Sequence, residues 1–393
     1  MFYFVMFFVL LLLGLLNIQM HDRLSRQLLM VFSSIILICI AGLRYETGGD
    51  WDSYTKLFAS FPSLHYLVAH PQEWFGGDVE GGFVLLCAAV KTMGGGIQTL
   101  FFVVTFVDIV LIASVLPKYT KYPVVALFGY YCLLYFQLEM IYMRQATAVA
   151  LCFFALQYIE DGKWLRYMVV IFVACTFHRV AIVMIPLYFL LDKRLPAWLY
   201  MCVIGAGALL MLAGVPWIKS IFLAVSSLLG ETYAEKAEAY TTTDVFATGR
   251  QLSVGFVLNL LMAFCFLFFK KPIDERRNGT IMLNMYMLSL VLYYYCYELV
   301  EVSNRFRLFF NIGIIALLPI LLECLPKVMD RFVGYVVVCL YCFSFSMGIF
   351  LEKPQAVAYN PYQNYVEFKI HPRPSTGAQR LKQSEWFFQQ GRK

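Results

Sequence analysis

Charge is scarce in this chain. Charged residues fill 14% of its 393 positions, where a soluble domain carries roughly a quarter, so a soluble globular protein is excluded. Several enzyme signatures are missing too. There is no Walker loop, HExxH, GxSxG or Rossmann glycine pattern, which argues against an ATP-driven pump and the common hydrolases. The N-terminus has no basic region ahead of its apolar run, so no cleavable signal peptide is expected and residues 1–20 read as a first span. The cysteines are scattered, mostly inside apolar runs, as small packing residues rather than a disulfide framework or metal site. The net charge of +6 is what the loop lysines and arginines of a membrane protein give, and it supplies no reason to invoke nucleic acid.

What is present is apolar sequence, 61% of the chain. Runs close to the roughly 20 residues needed to cross a bilayer recur from end to end, which predicts an all-α, polytopic transmembrane bundle rather than a barrel. Basic loops at Arg23/Arg26, Lys118/Lys121, Lys163/Arg166, Lys193/Arg194, Lys270/Lys271/Arg276/Arg277 and Lys327/Arg331 are assigned to the inner side. Paired spans 122–138 with 144–159, 198–216 with 252–269, and 280–301 with 308–325 then join neighbouring loops. Residues 167–191 must also cross twice, which predicts two short helices meeting at a polar break, Phe177-His178-Arg179. Residues 81–93, ended by Gly94-Gly95-Gly96, read as a re-entrant or interfacial helix between spans 27–43 and 97–116. With 1–20 and 332–350 the total is about twelve spans. The chain divides into a membrane domain, 1–350, with outer loops 45–80 and 217–250, and a tail, 351–393. The even span count puts this basic tail outside, against the positive-inside bias.

The same count carries most remaining strong polar groups to the outer ends of spans. Arginines there run against the bias, and an outward-facing basic cavity supplies one reason for all of them. Isolated snorkelling arginines are the alternative. The densest cluster is residues 44–54, where Arg44, Glu46, Asp50 and Asp52 accompany Gly48-Gly49, Tyr45, Trp51 and Tyr54. A plain polar loop with a Gly-Gly turn is the competing reading. Arg144-Gln145 opens a helix, whose N-terminal dipole and guanidinium together favour an anion. Arg305 and Arg307 read as one short outer turn suited to phosphate. Glu298 and Glu301, a helical turn apart, would share a face as counter-ions or proton acceptors. His178 beside Arg179 is either a packed residue or a catalyst. The aromatic loop 45–80 fits sugar stacking or interface anchoring. Loop 217–250, with Gly249-Arg250, has the size of a lid.

In their order along the chain these pieces resemble the EpsG-like family of polysaccharide polymerases, the broader group that includes Wzy-type O-antigen polymerases. The matching residues are Gly42-Leu-Arg44, Gly48-Gly49-Asp50 and Tyr54; Glu80-Gly81-Gly82-Phe83; Arg144-Gln145; Phe177-His178; Arg305-Phe306-Arg307-Leu308; and Tyr359-Asn-Pro-Tyr362. Gly49 stands where the family pattern has Thr or Ser. The resemblance implies a bacterial inner-membrane glycosyltransferase of the GT-C-like kind. It would join repeat units carried on undecaprenyl pyrophosphate at the periplasmic face, making O-antigen or exopolysaccharide. Its partners would be the lipid-linked donor and acceptor and the bilayer, with a chain-length regulator as a candidate. No cofactor and no metal is expected. Arg44, Arg144, Arg250, Arg305 and Arg307 would stabilise the pyrophosphate leaving group. Asp50, Glu80 and His178 are the candidate bases for the acceptor hydroxyl, Asp50 narrowly ahead of Glu80. Trp51 and Tyr54 would lie beside the glycan. Rival readings are an O-antigen ligase, which shares donor and arginines, and a lipid-linked glycan flippase or transporter, which should show inverted repeats and inward-facing charge that the sequence lacks.

Overall fold

A computed structural model describes residues 1–74, 79–228, 252–372 and 374–390. Every regular element among the described residues is helical, and the one β-type contact there is an isolated antiparallel bridge between Arg44 and Asn364. The chain forms two compact units. One comprises Met1–Tyr188 with the segment that starts at Leu318; the other is Phe189–Leu317.

In the first unit the helix Pro123–Met140 is the axis, buried along most of its length. Proline suits its first turn, where the missing N–H has no intrahelical partner to lose. Phe2–Gln19, Arg23–Gly42, Ile97–Tyr119 and Val328–Leu351 reach spanning length and pack on it. Each buries one stripe. In Phe2–Gln19 the inward positions are Tyr3, Phe7, Leu10, Gly14 and Asn17, while Val5, Phe8, Leu12 and Leu16 are exposed. That three-to-four spacing is a helix with one face on protein. Its exposed face is as apolar as its buried face, which lipid surroundings require and water would penalise. Buried Asn17 is satisfied, since its Oδ1 accepts from the first-turn amide of Val124 at 3.2 Å. Arg23–Gly42 is started by Asp22, whose carboxylate accepts from Ser25 N at 2.7 Å.

At one end of this unit the basic loops are tied together. Arg26 donates to Lys121 O at 3.4 Å, and Glu323 accepts from Thr120 Oγ1 at 2.7 Å and Lys121 N at 2.6 Å. The far end of Arg23–Gly42 carries the turn 44–50. The residues after Leu351 fold onto that turn as three helices, Lys353–Tyr359, Tyr365–Ile370 and Gly377–Gln390. The tail therefore shares an end of the unit with Arg44.

Short elements complete this unit. Gly81–Thr92 is followed by Gly94 at φ +76°, which closes it. Trp164–Phe177 stops at an extended His178, after which the chain continues as 3₁₀ turns, Arg179–Met184 and Pro186–Phe189. The break falls at Phe177-His178-Arg179 as the sequence suggests, with 3₁₀ turns in place of a second α-helix. Pro186 has no amide to give an α-helical ladder.

In the second unit Ala197–Ala213 and Ile218–Leu228 form a pair bent by 98°. Val300–Asn311 is bent by 44° from the helix that follows it, Gly313–Glu323. Among the described residues five helices are long and apolar enough to cross a membrane, or up to seven if each bent pair is one span. Shorter apolar helices accompany them: Gly81–Thr92, Trp164–Phe177, Arg179–Phe189 and Val254–Phe268.

Two expectations are corrected here. Arg305 and Arg307 do not occupy a short turn; both lie inside the helix Val300–Asn311. Two positions on a helix are rotated by about 200°, so their side chains leave on opposite sides. Glu298 and Glu301 do not share a helical face, because Gly279–Tyr295 has ended and the next helix starts at Val300. Glu298 Oε1 accepts from Trp217 N at 2.8 Å and Ile218 N at 2.9 Å, capping the start of Ile218–Leu228. Glu301 pairs instead with Arg305 at 2.9 Å.

Candidate active site

Three helix termini meet in the first unit, and each brings one polar side chain. Glu80 precedes Gly81–Thr92 in an extended conformation. Arg144 lies in the first turn of Met143–Ala155, and His178 ends Trp164–Phe177. Glu80 Oε2 accepts from Arg144 Nη1 at 2.6 Å; its Oε1 is 3.2 Å from His178 Nδ1 and accepts from Arg179 N at 3.3 Å. Gly82 makes the approach possible, because a Cβ there would lie 2.8 Å from Thr176 O and run into the Thr176 side chain. The Glu-Gly-Gly run is thus a carboxylate followed by the space it needs.

The side chains form a gradient: 30% exposed for Arg144, 15% for His178 and 8% for Glu80. The cation faces outward and its anchor is buried. Burial works to raise the Glu80 pKa, but the hydrogen bond from His178 and the charge of Arg144 outweigh it and pull it down to about 2. Glu80 is therefore an anion at neutral pH.

Tyr54 joins the group. Its ring is buried against Phe83 at 6.0 Å, and its hydroxyl interacts with the Arg144 guanidinium. It stands on the helix Trp51–Ser60, with half-buried Trp51 packed against the same aromatic cluster. Asp50 immediately precedes that helix and acts electrostatically on Tyr54 and Tyr359. The Gly48-Gly49 turn ahead of it needs its first glycine. Gly48 has φ +107°, and a Cβ would meet Met140 O at 2.8 Å.

Arg44 lies beneath this group, its Nη2 3.3 Å from Met143 Sδ. It is 1% exposed. Its guanidinium donates to Ala41 O at 3.3 Å and to Glu139 O, and stacks 4.4 Å from the Phe101 ring centroid. Those contacts tie the end of Arg23–Gly42 to the end of the axial helix. In the second unit Arg305 is 40% exposed and paired with Glu301, while Arg307 donates to Ser289 O at 3.1 Å and lies 4.5 Å over Tyr293. Arg250, and with it most of the expected lid, lies outside the described residues.

Sequence reading missed two groups. Asp108 is fully buried within Ile97–Tyr119, where it accepts from Thr147 Oγ1 at 3.2 Å, one turn along the helix from Arg144. Nearby Glu139 accepts from Tyr130 at 2.6 Å. A single Asp inside an apolar run was the available signal. The other is Arg380, buried in the tail, for which the sequence offered none. Among the described residues no three His, Cys, Asp or Glu side chains are grouped to hold a metal ion.

Neither a curated protein nor a solved structure matches the chain. The EpsG family model matches residues 27–364, most of the sequence and every element of the Glu80 site, and the chain belongs to the EpsG family.

Proposed function

We propose that this polysaccharide polymerase-like membrane protein joins oligosaccharide repeat units carried on undecaprenyl pyrophosphate, at the periplasmic face of a bacterial inner membrane. The product would be an O-antigen or exopolysaccharide, the bundle GT-C-like with about twelve crossings once short helices are included. One observation carries this reading: a buried Glu80 carboxylate holds an outward-facing arginine and a histidine together at three helix termini.

The acceptor hydroxyl attacks the anomeric carbon, and the bond from that carbon to the pyrophosphate oxygen breaks. The hydroxyl proton passes to His178. A carboxylate only accepts, so Glu80 fixes the proton of His178 on Nδ1 and leaves Nε2 as the basic nitrogen. Glu80 itself is a poor base with its pKa near 2, since a base works best with a pKa near the operating pH. Arg144, aimed by Glu80 and Tyr54, meets the charge that develops on the departing pyrophosphate. Asp50, with Trp51, holds acceptor sugar hydroxyls. Arg305, Arg307 and Arg250 remain phosphate candidates on guanidinium chemistry, while Arg44 braces the scaffold. No cofactor is invoked. Apolar surroundings limit hydrolysis of the donor by water.

Reconstitution with undecaprenyl-pyrophosphate-linked repeat units tests this. Chain lengthening with release of the lipid pyrophosphate supports it. Transfer to a lipid A core instead would make the protein a ligase, and movement across the bilayer without a new glycosidic bond would make it a flippase.

A further inference from the structure

We infer that Arg380 is a positioning residue for this site, acting through the turn 45–50. The inference rests on the reading above, in which that turn leads Asp50 and Tyr54 to the substrate. Arg380 stands on Gly377–Gln390, beyond the residues that the family match covers. It is 5% exposed, so its charge is not there for solvent. Its Nη2 donates to Glu46 O at 2.8 Å and lies 3.3 Å from Thr47 Oγ1; its Nη1 donates to Ala358 O at 3.0 Å; its Nε donates to Thr376 Oγ1 at 3.1 Å. One rigid guanidinium fork thus spans the turn and the segment beneath it.

The turn needs such a hold. Glu46 has φ +45° and Gly48 φ +107°, two left-handed residues within three positions. A non-glycine residue keeps such a conformation only where its surroundings impose it. Here the surroundings are the C-terminal segment. Tyr45 N donates to Gln363 O at 2.8 Å, Gly48 N donates to Ala358 O at 3.2 Å, and Ser375 Oγ donates to the Glu46 carboxylate. Ala358 O accepts from both Gly48 and Arg380, so the arginine and the glycine turn share one anchor. Asp50 follows two residues after Gly48, and Tyr54 one helical turn later touches Arg144. A shift of the turn is passed to the substrate-facing side chains, where about 1 Å of misplacement costs on the order of 10²-fold in rate.

The test uses the full-length protein in liposomes with lipid-linked repeat units, comparing wild type, Arg380→Ala, Arg380→Lys and Lys382→Ala. Lys382 is an exposed residue on the same helix. Lengthening kinetics are read beside backbone hydrogen exchange of the peptide covering residues 45–50. In Arg380→Ala, kcat should fall at least about 10-fold as Tyr54 loses its line to Arg144, and KM should rise as Asp50 is displaced from the acceptor. Exchange should rise in that peptide and not across the spanning helices. Arg380→Lys, which keeps one contact in place of a fork, should recover part of both, and Lys382→Ala should match wild type. An unchanged kcat and exchange in Arg380→Ala overturns the inference, as does faster exchange spread over the whole protein. If wild type lengthens nothing, the polymerase reading falls, and the exchange data still decide whether Arg380 holds the turn.

Discussion

Arg144 and Glu80 meet at 2.6 Å across 64 residues of chain, and His178 approaches the other oxygen of the same carboxylate. One buried anion therefore sets the direction of two groups, a partly exposed guanidinium and an imidazole ring.

Glu80→Gln keeps the shape of the anchor and removes its charge. Lengthening should slow by about 10²-fold to 10⁴-fold, as when an orienting carboxylate is neutralised behind a catalytic histidine, with normal insertion in the membrane. A rate near wild type would take Glu80 out of the site.

Acid should separate the same variant from wild type in stability. The folded Glu80 pKa, about 2, lies below its ordinary 4.5. The contribution of the anion is then complete above about pH 4.5 and is lost as pH falls from there toward 2. With Arg144 partly exposed and its pairing screened, the contribution is on the order of 2 kcal/mol. Thermal unfolding in detergent should show a steeper acid decline for wild type than for Glu80→Gln over that window. Parallel curves would mean that the carboxylate is not held in this way.

His178→Asn retains a donor toward Glu80 and removes the basic nitrogen; kcat should drop about 10²-fold to 10⁴-fold. Asp50→Asn should act mainly on KM, through weaker acceptor binding. The reverse pattern would give the proton to Asp50.

Arg44→Ala and Arg144→Ala should fail differently. The first leaves a cavity and deprives a buried carbonyl of its charged donor, which costs roughly 3 kcal/mol and lowers the unfolding temperature. The second removes the partly exposed partner of Glu80, should cost less, on the order of 1 kcal/mol, and should lose activity. Equal unfolding temperatures for the two would contradict the bracing role of Arg44.

Gly48→Ala places a methyl group 2.8 Å from Met140 O at a positive φ. A destabilisation of about 2 kcal/mol is expected, read from the same unfolding curves. No shift would mean that the turn relaxes without loss.

Much of this was visible in the residues. Glu80 is legible from the Glu-Gly-Gly-Phe run leading into a helix, Arg144 from its place at a helix start, and His178 from the shortage of chain between 167 and 191. The helix containing Arg305 and Arg307 was not visible, because its start depends on where Gly279–Tyr295 ends and not on a local stop signal. Asp108 offers a lone carboxylate inside an apolar run but no motif around it. Arg380 was hidden in a polar tail, where an arginine is ordinary. Nothing local in 353–390 records that its partners lie at 44–48.

That long-range bridge, Arg44 to Asn364, has a consequence for synthesis. The ribosome completes every long apolar helix before it adds the residues that receive Tyr45 and Gly48. The nascent protein can thus occupy the bilayer with its glycine turn still without the carbonyls that shape it. The glycine turn is therefore shaped last, after the long helices are already made.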